Sequence, residues 1–181
     1  MKNIFATLLI ATMSLANAQV IIGDQIGTAP ANQKTSVLLE FAAGQNKGII
    51  LPYLRALPQS PSVGTIALDA TNSTSARVKF YNGAWVDLSG QDGDITTVLA
   101  TQPTTGEAPE LATAKSIIGA RTSAADGVLV LESTTKAMIL PTVTSVQNIP
   151  NPAPGMMVYV NNTGAKRLAV FNGTRWSYWK P

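Results

Sequence analysis

Phe171-Asn172-Gly173-Thr174-Arg175-Trp176 lies near the C-terminus, and a close copy, Tyr81-Asn82-Gly83-Ala84-Trp85, stands near the middle of the chain. Both copies place an Asn-Gly pair between two β-prone runs. Such a pair predicts a β-hairpin with a type I′ turn, because that turn needs positive φ at both central residues. The repeated motif therefore predicts a repeated hairpin, with Asn82, Gly83, Asn172 and Gly173 as its framework.

The similarity between the two halves extends upstream of the hairpins. The matching pairs are Ile21-Ile22-Gly23 with Ile117-Ile118-Gly119, the run ending near Glu40 with Gly127 to Glu132, Lys47 to Pro52 with Lys136 to Pro141, and Val63 to Leu68 with Pro154 to Tyr159. Landmarks that recur in the same order and at similar spacing indicate a tandem duplication. Alternating runs on both sides of each Asn-Gly pair predict a three-stranded antiparallel meander in each copy.

The predicted fold is mainly β, with two tandem small antiparallel β-meander modules. Residues 1–18 are predicted to be a signal peptide, residues 19–90 the first β-repeat unit and residues 116–181 the second. Residues 91–115, rich in Thr, Gly and Pro, are predicted to be a linker. We call the two repeats unit 1 and unit 2.

The N-terminus has the pattern of an export signal. Lys2 precedes an apolar run from Ile4 to Leu15, and Ala16-Asn17-Ala18 is a small-x-small site that predicts cleavage before Gln19. No later apolar run is long enough to predict a transmembrane span. The expected location is the periplasm, the outer-membrane surface or the extracellular space. An exported chain without cysteine fits a bacterial envelope better than a eukaryotic secretory route.

The composition argues against catalysis. The 181 residues include no Cys and no His, and only 13% are charged. The chain therefore lacks the thiolate nucleophile, the usual general base and the commonest metal ligands. We expect no catalytic residues, no metal site and no cofactor. The net charge of +3 comes without a basic cluster, so no nucleic-acid partner is expected.

Three segments of unit 2 carry a resemblance to a known kind of module. They are Leu131 to Pro141 (LESTTKAMILP), Pro154 to Tyr159 (PGMMVY) and Phe171 to Trp176 (FNGTRW). Together they resemble the repeat modules of exported envelope and cell-surface proteins of Bacteroidota, and similar modules near the ends of fibre-like proteins. The resemblance implies a structural role in a surface assembly.

The aromatic residues divide into two groups. Trp85 and Trp176 occupy equivalent positions, and we expect both to be structural core, because one buried Trp removes about 150–250 Å² from water. Arg175, Tyr178 and Trp179 have no counterpart in unit 1, so they are the candidate partner-binding or glycan-binding residues. Asp92-Gly93-Asp94, with Asp87 nearby, is interpreted as a solvated turn; a calcium loop is the alternative.

Small modules without disulfides or metals are marginally stable alone, so the units are expected to pack on each other or on further copies. Meanders also leave edge strands that invite pairing. The predicted function is a non-catalytic structural subunit of an envelope or surface assembly, adhesin-like or fibre-like, whose partners are other envelope proteins or copies of itself. The alternative is a glycan-binding surface module that uses the C-terminal aromatics.

Overall fold

The computed structural model describes residues 19–104, 106–109, 111 and 113–179 of the chain. The predicted signal peptide lies outside these residues. Most of the regular structure is β, which confirms the mainly-β fold class. The strands are β1 (Val20–Ile22), β2 (Val37–Phe41), β3 (Ile49–Ile50), β4 (Tyr53–Leu54), β5 (Ile66–Asp69), β6 (Arg77–Tyr81), β7 (Trp85–Asp87), β8 (Ser116–Ile118), β9 (Leu129–Leu131), β10 (Ala137–Met138), β11 (Thr142–Val143), β12 (Met156–Val160), β13 (Arg167–Phe171) and β14 (Trp176–Trp179).

Helical structure among the described residues is short. A 3₁₀ helix covers Ala31–Ser36, an α-helix (α1) covers Thr96–Leu99, and a second 3₁₀ helix covers Val146–Asn148. No helix in this part of the chain is long and apolar enough to cross a membrane.

Each unit contains the predicted meander. Strands β5, β6 and β7 are antiparallel neighbours in unit 1, and β12, β13 and β14 are antiparallel neighbours in unit 2. Each meander also gains a short parallel strand at its first edge, β4 beside β5 and β11 beside β12. The repeated sequence therefore forms four strands in the same order in each unit.

The predicted type I′ turns are wrong. The connection between β6 and β7 has three residues, with Tyr81 paired to Trp85, and the connection between β13 and β14 has four, with Phe171 paired to Trp176. Only the glycine of each Asn-Gly pair has positive φ, at 108° for Gly83 and 106° for Gly173. The extra loop residues make a two-residue turn unnecessary, so the asparagines keep ordinary backbone angles.

The two meanders pack face to face. Leu68 and Val78 of unit 1 lie in one buried cluster with Met157 and Val170 of unit 2. The repeat matches Val78 with Leu168 and Phe80 with Val170, positions that the alternation in the sequence assigns to one apolar face, and Val78 and Val170 are buried in this cluster. The opposite face of the unit 2 sheet packs under Val143, Val146 and Ile149, in a second cluster.

Part of the predicted linker belongs to the first cluster. Ile95 and Leu99 are both buried in it. They are four residues apart at helix α1, so they lie on the same side of this single turn. A Thr- and Gly-rich composition thus concealed two core residues, and residues 91–99 connect the units through packing as well as sequence.

Candidate functional site

The C-terminal strand β14 and the loop before it carry the three residues that unit 1 lacks. Tyr178 and Trp179 are exposed, and as neighbours on one strand they project from opposite faces of the sheet. The guanidinium of Arg167 lies 4.1 Å from the centre of the Tyr178 ring, a cation–π contact. Arg175 lies in the preceding loop and is exposed. The three side chains therefore do not form one continuous binding platform.

The two equivalent tryptophans are only partly buried. Trp85 stacks edge-on against Tyr81, with ring centres 5.5 Å apart. Trp176 lies 5.3 Å from Phe171, and both pack against the second cluster. The structure thus places Trp176 at the border of a core, while Trp85 is a surface partner of one tyrosine.

The two Asn-Gly pairs differ more than their sequences do. Asn82 and Gly83 are exposed, whereas Asn172 is fully buried. The Asn172 side chain donates to the Gln91 carbonyl (2.8 Å) and accepts from the Thr174 and Arg175 amides (3.0 and 2.8 Å). Asn172 therefore ties the unit 2 loop to residues 91–93.

The acidic residues around position 90 are engaged within the protein. Arg77 donates to Asp87 (2.6 Å) and to Asp92 (2.8 Å), and Asp94 accepts from the Thr96 amide (2.9 Å). Burial by itself raises the pKa of Asp87, but hydrogen bonds from Arg77, Ser89 and Gly90 together outweigh burial and hold that pKa below its usual value. Among the described residues, no group of three or more acidic side chains is placed to hold a metal ion.

One buried acid was not recognised in the sequence. Glu40 on β2 has no exposed surface, and its carboxylate accepts from the Ala29 amide (2.8 Å) and lies 3.4 Å from the Lys34 ammonium. The predicted match of the run ending near Glu40 with Gly127 to Glu132 is off by two residues. Ile21 and Ile117 are equivalent by the repeat. Ile21 pairs with Glu40 and Ile117 pairs with Val130, so Glu40 corresponds to Val130.

The most informative feature is an exchange of strands between the units. Strand β10 of unit 2 completes the sheet of β1 and β2 in unit 1, with Met138 opposite Leu39. In return, β3 of unit 1 pairs with β12 of unit 2, with Ile49 opposite Met157. This reciprocal contact was not predicted, because strands of two residues carry too little pattern to identify their partners. We call it the inter-unit contact.

Within the described residues, the equivalent sheet in unit 2 has no such third strand. Strand β9 pairs with β8 and with no other strand in the part of the chain that the structure describes. We call its other side the open edge of β9. The Asp126 amide, just before this strand, donates to the Ser62 hydroxyl of unit 1 (2.9 Å). The segment just before β9 therefore lies beside the segment that leads into β5.

Comparison with known protein families finds a match to unit 2. The model of a family described as "Phage tail like trimerisation region" matches residues 117–180, which cover nearly all of unit 2. Unit 2 is thus similar to a region known for trimerisation. No curated protein and no solved structure shows significant similarity to the chain.

Proposed function

We propose that this chain is a non-catalytic structural subunit that associates with copies of itself, as a trimer, in an exported envelope or surface assembly. The observation that carries the proposal is the similarity of residues 117–180 to a trimerisation region. The open edge of β9 lies within the same residues, so the similarity and an unpaired strand edge coincide.

The construction of the chain supports self-association. Each unit already takes a strand from the other, which means that neither unit completes its sheets alone. Apolar side chains near the open edge of β9, Val128 and Leu129, are exposed. Exposed apolar groups beside an unpaired edge favour association with another chain.

The location is part of the same proposal. The predicted signal peptide at residues 1–18 directs the chain out of the cytoplasm, and the resemblance of unit 2 to envelope modules supports a fibre-like surface structure. An assembly outside the cell has no need of disulfides if the copies stabilise one another, which is compatible with the absence of cysteine.

Mass measurement tests the central point. The mature chain, purified after export, is expected to sediment with three times the mass of one copy at micromolar concentration. Its N-terminal residue is expected to be Gln19, which peptide mass spectrometry checks. A folded monomer at high micromolar concentration would refute self-association, and an unprocessed Met1 in the envelope fraction would refute the predicted cleavage.

A further inference from the structure

We infer that the inter-unit contact is repeated between copies, with β3 of a second copy added to the open edge of β9. The inference rests on the proposed function, since it names the surface through which copies associate. The partner is unit 1 of another chain of the same sequence, because the first chain already uses its own β3 on β12. Among the described residues, β3 pairs with β12 alone, which leaves its other side unpaired.

The template for this docking lies inside each chain. Strand β10 adds to β2 in parallel, and the Ile139 amide donates to the Leu39 carbonyl (2.8 Å). With this third strand in place, Leu38 and Leu39 are 3% and 0% exposed. The added strand therefore continues the hydrogen bonding of β2, and both leucines of β2 are buried.

The corresponding surface of unit 2 has the same construction without the third strand. Because Glu40 corresponds to Val130, Leu38 and Leu39 correspond to Val128 and Leu129. These two residues are 66% and 48% exposed. Equivalent apolar positions are thus buried where a strand is added and exposed where none is, which is the pattern expected of a surface that receives a strand from outside.

Strand β3 has the free side that this docking requires. It is the unit 1 counterpart of β10, with Ile50 equivalent to Ile139 by the repeat. The Leu51 amide donates to the Gly155 carbonyl (3.1 Å), so Leu51 faces β12. In an antiparallel pair, the backbone groups of successive residues point alternately toward and away from the partner strand. The backbone N–H and C=O of Ile50 therefore point away from β12. The Ile50 amide is placed to donate to the Leu129 carbonyl of another copy. The Ile50 side chain is 54% exposed.

A second hydrogen bond, between the Leu140 amide and the Gly64 carbonyl, is available to the same contact. The counterparts of Leu51 and Gly155 are Leu140 and Gly64. Neither the Leu140 amide nor the Gly64 carbonyl has a hydrogen-bond partner within the described residues. When β3 of a second copy docks on β9, the repeat brings its Gly64 carbonyl to the Leu140 amide of the first copy, just as Gly155 meets Leu51 inside one chain.

Side-chain volume also fits the repeated contact. A Cβ on Gly48 would lie 2.5 Å from Met156 and 2.8 Å from Val158, so glycine is needed where β3 crosses β12. The counterpart of Gly48 on β10 is Ala137. It would meet Thr65 and Ala67, the smaller counterparts of Met156 and Val158. The added methyl group on one side is matched by smaller side chains on the other.

Cysteine pairs test the register directly, because the natural chain has none. Oxidation of the double variant Ile49→Cys/Leu129→Cys is expected to give covalent multimers on a denaturing gel. The control Leu39→Cys/Met138→Cys reproduces the template and should give a link within one chain. A second control, Ile49→Cys/Val86→Cys, places the partner thiol on β7, outside the proposed contact, and should leave the chains unlinked.

A charge at the same surface tests its contribution to association. Val128→Lys places an ammonium in an apolar contact, so the dissociation constant of the oligomer should rise at least about 100-fold. Val86→Lys introduces the same charge at another exposed valine and should leave that constant unchanged. Because Val128 is exposed in the single chain, circular dichroism should show an unaltered fold.

The outcomes separate the docking from the proposed function. Covalent multimers that form in Ile49→Cys/Leu129→Cys and not in Ile49→Cys/Val86→Cys, together with weakened association in Val128→Lys, support the docking. An oligomeric wild type that resists Val128→Lys and gives no specific multimers overturns the docking while self-association stands. A wild-type chain that stays monomeric at high micromolar concentration overturns both.

Discussion

Gly93 lies directly against Asn172, because a Cβ added to Gly93 would be 2.0 Å from the Asn172 carbonyl oxygen. Gly93 is buried, and its own backbone exchanges hydrogen bonds with Ala76 of unit 1 (2.9 and 3.0 Å). One glycine therefore contacts the backbones of both units. The close approach explains why a segment of linker-like composition is a fixed part of the fold.

Replacement of Gly93 by alanine should loosen this junction. The new methyl group would meet backbone atoms, which cannot move aside as a flexible side chain does, so Gly93→Ala should lower the free energy of unfolding by about 1–3 kcal/mol. Urea unfolding followed by circular dichroism measures the change. Gly106→Ala is the matched control: its nearest neighbour is the Thr104 hydroxyl at 3.9 Å, so the change there should stay within about 0.5 kcal/mol. Equal effects of the two substitutions would contradict the close approach.

The two equivalent asparagines should respond differently to truncation. Asn172→Ala removes a buried side chain and leaves the Thr174 and Arg175 amides without their acceptor, so the expected loss of stability is about 1–3 kcal/mol. Asn82→Ala changes an exposed residue and should cost less than about 0.5 kcal/mol. The urea midpoints of both variants decide the point. Similar losses would mean that the asparagines act through the turn alone.

The asparagines also show how far the sequence could predict the structure. Alternation and the Asn-Gly motif predicted both meanders and the inward face of Val78 and Val170. The same motif could not distinguish a buried asparagine from an exposed one, because the burial of Asn172 depends on Gln91 and Gly93, which lie far away in the sequence. Local pattern specifies local pairing, whereas contacts between units depend on tertiary packing.

The surface proposed for docking was not among the candidate residues for a related reason. Arg175, Tyr178 and Trp179 attracted attention as residues without a counterpart in unit 1. The surface that we infer to receive β3 of another copy instead consists of residues that do have counterparts, Val128 and Leu129, and differs from unit 1 in what covers it. One difference between the copies, Gly48 against Ala137, is present in the sequence. The packing reason for this difference could not be predicted, because it depends on the crossing of β3 over β12.

The stability of unit 1 should fall in acid through two carboxylates. Burial by itself raises the pKa of Asp69, but hydrogen bonds from Lys79 and Thr71 outweigh it, so the pKa of Asp69 is lowered, as is that of Asp87. A carboxyl group whose pKa is lower in the folded than in the unfolded chain stabilises the fold fully above the unfolded value, about 3.9. This contribution is lost as the pH falls from about 4 through the folded-state pKa values.

Urea midpoints between pH 7 and pH 2 measure this loss. The double variant Asp69→Asn/Asp87→Asn should be less stable at pH 7, by up to about 1 kcal/mol for each ion pair, and should show a flatter decline below pH 4. Asp24→Asn changes an exposed acid that lies outside these ion pairs and should keep the wild-type profile. A double variant that declines as steeply as the wild type would show that other acids control the acid unfolding.

The crossing of β3 over β12 yields a last prediction, on the inter-unit contact itself. Gly48→Ala introduces a Cβ 3.0 Å from the Met157 carbonyl as well as close to the Met156 and Val158 side chains. Because the carbonyl is fixed in the sheet, β3 has to shift, and the expected loss of stability is about 1–3 kcal/mol.

Hydrogen exchange locates the effect of this substitution. Gly48→Ala should reduce the protection of the Leu51 amide, which bonds to Gly155 across the contact, while the Val78 amide within the unit 1 meander keeps its protection. Ala137→Val is the matched control at the equivalent position, where the side chain is exposed in the single chain; at a concentration low enough to keep the chain monomeric it should leave both amides unchanged. If Gly48→Ala left the Leu51 amide as protected as in the wild type, the close approach of β3 to β12 would be contradicted. The pairing of β3 with β12 would then be wrong.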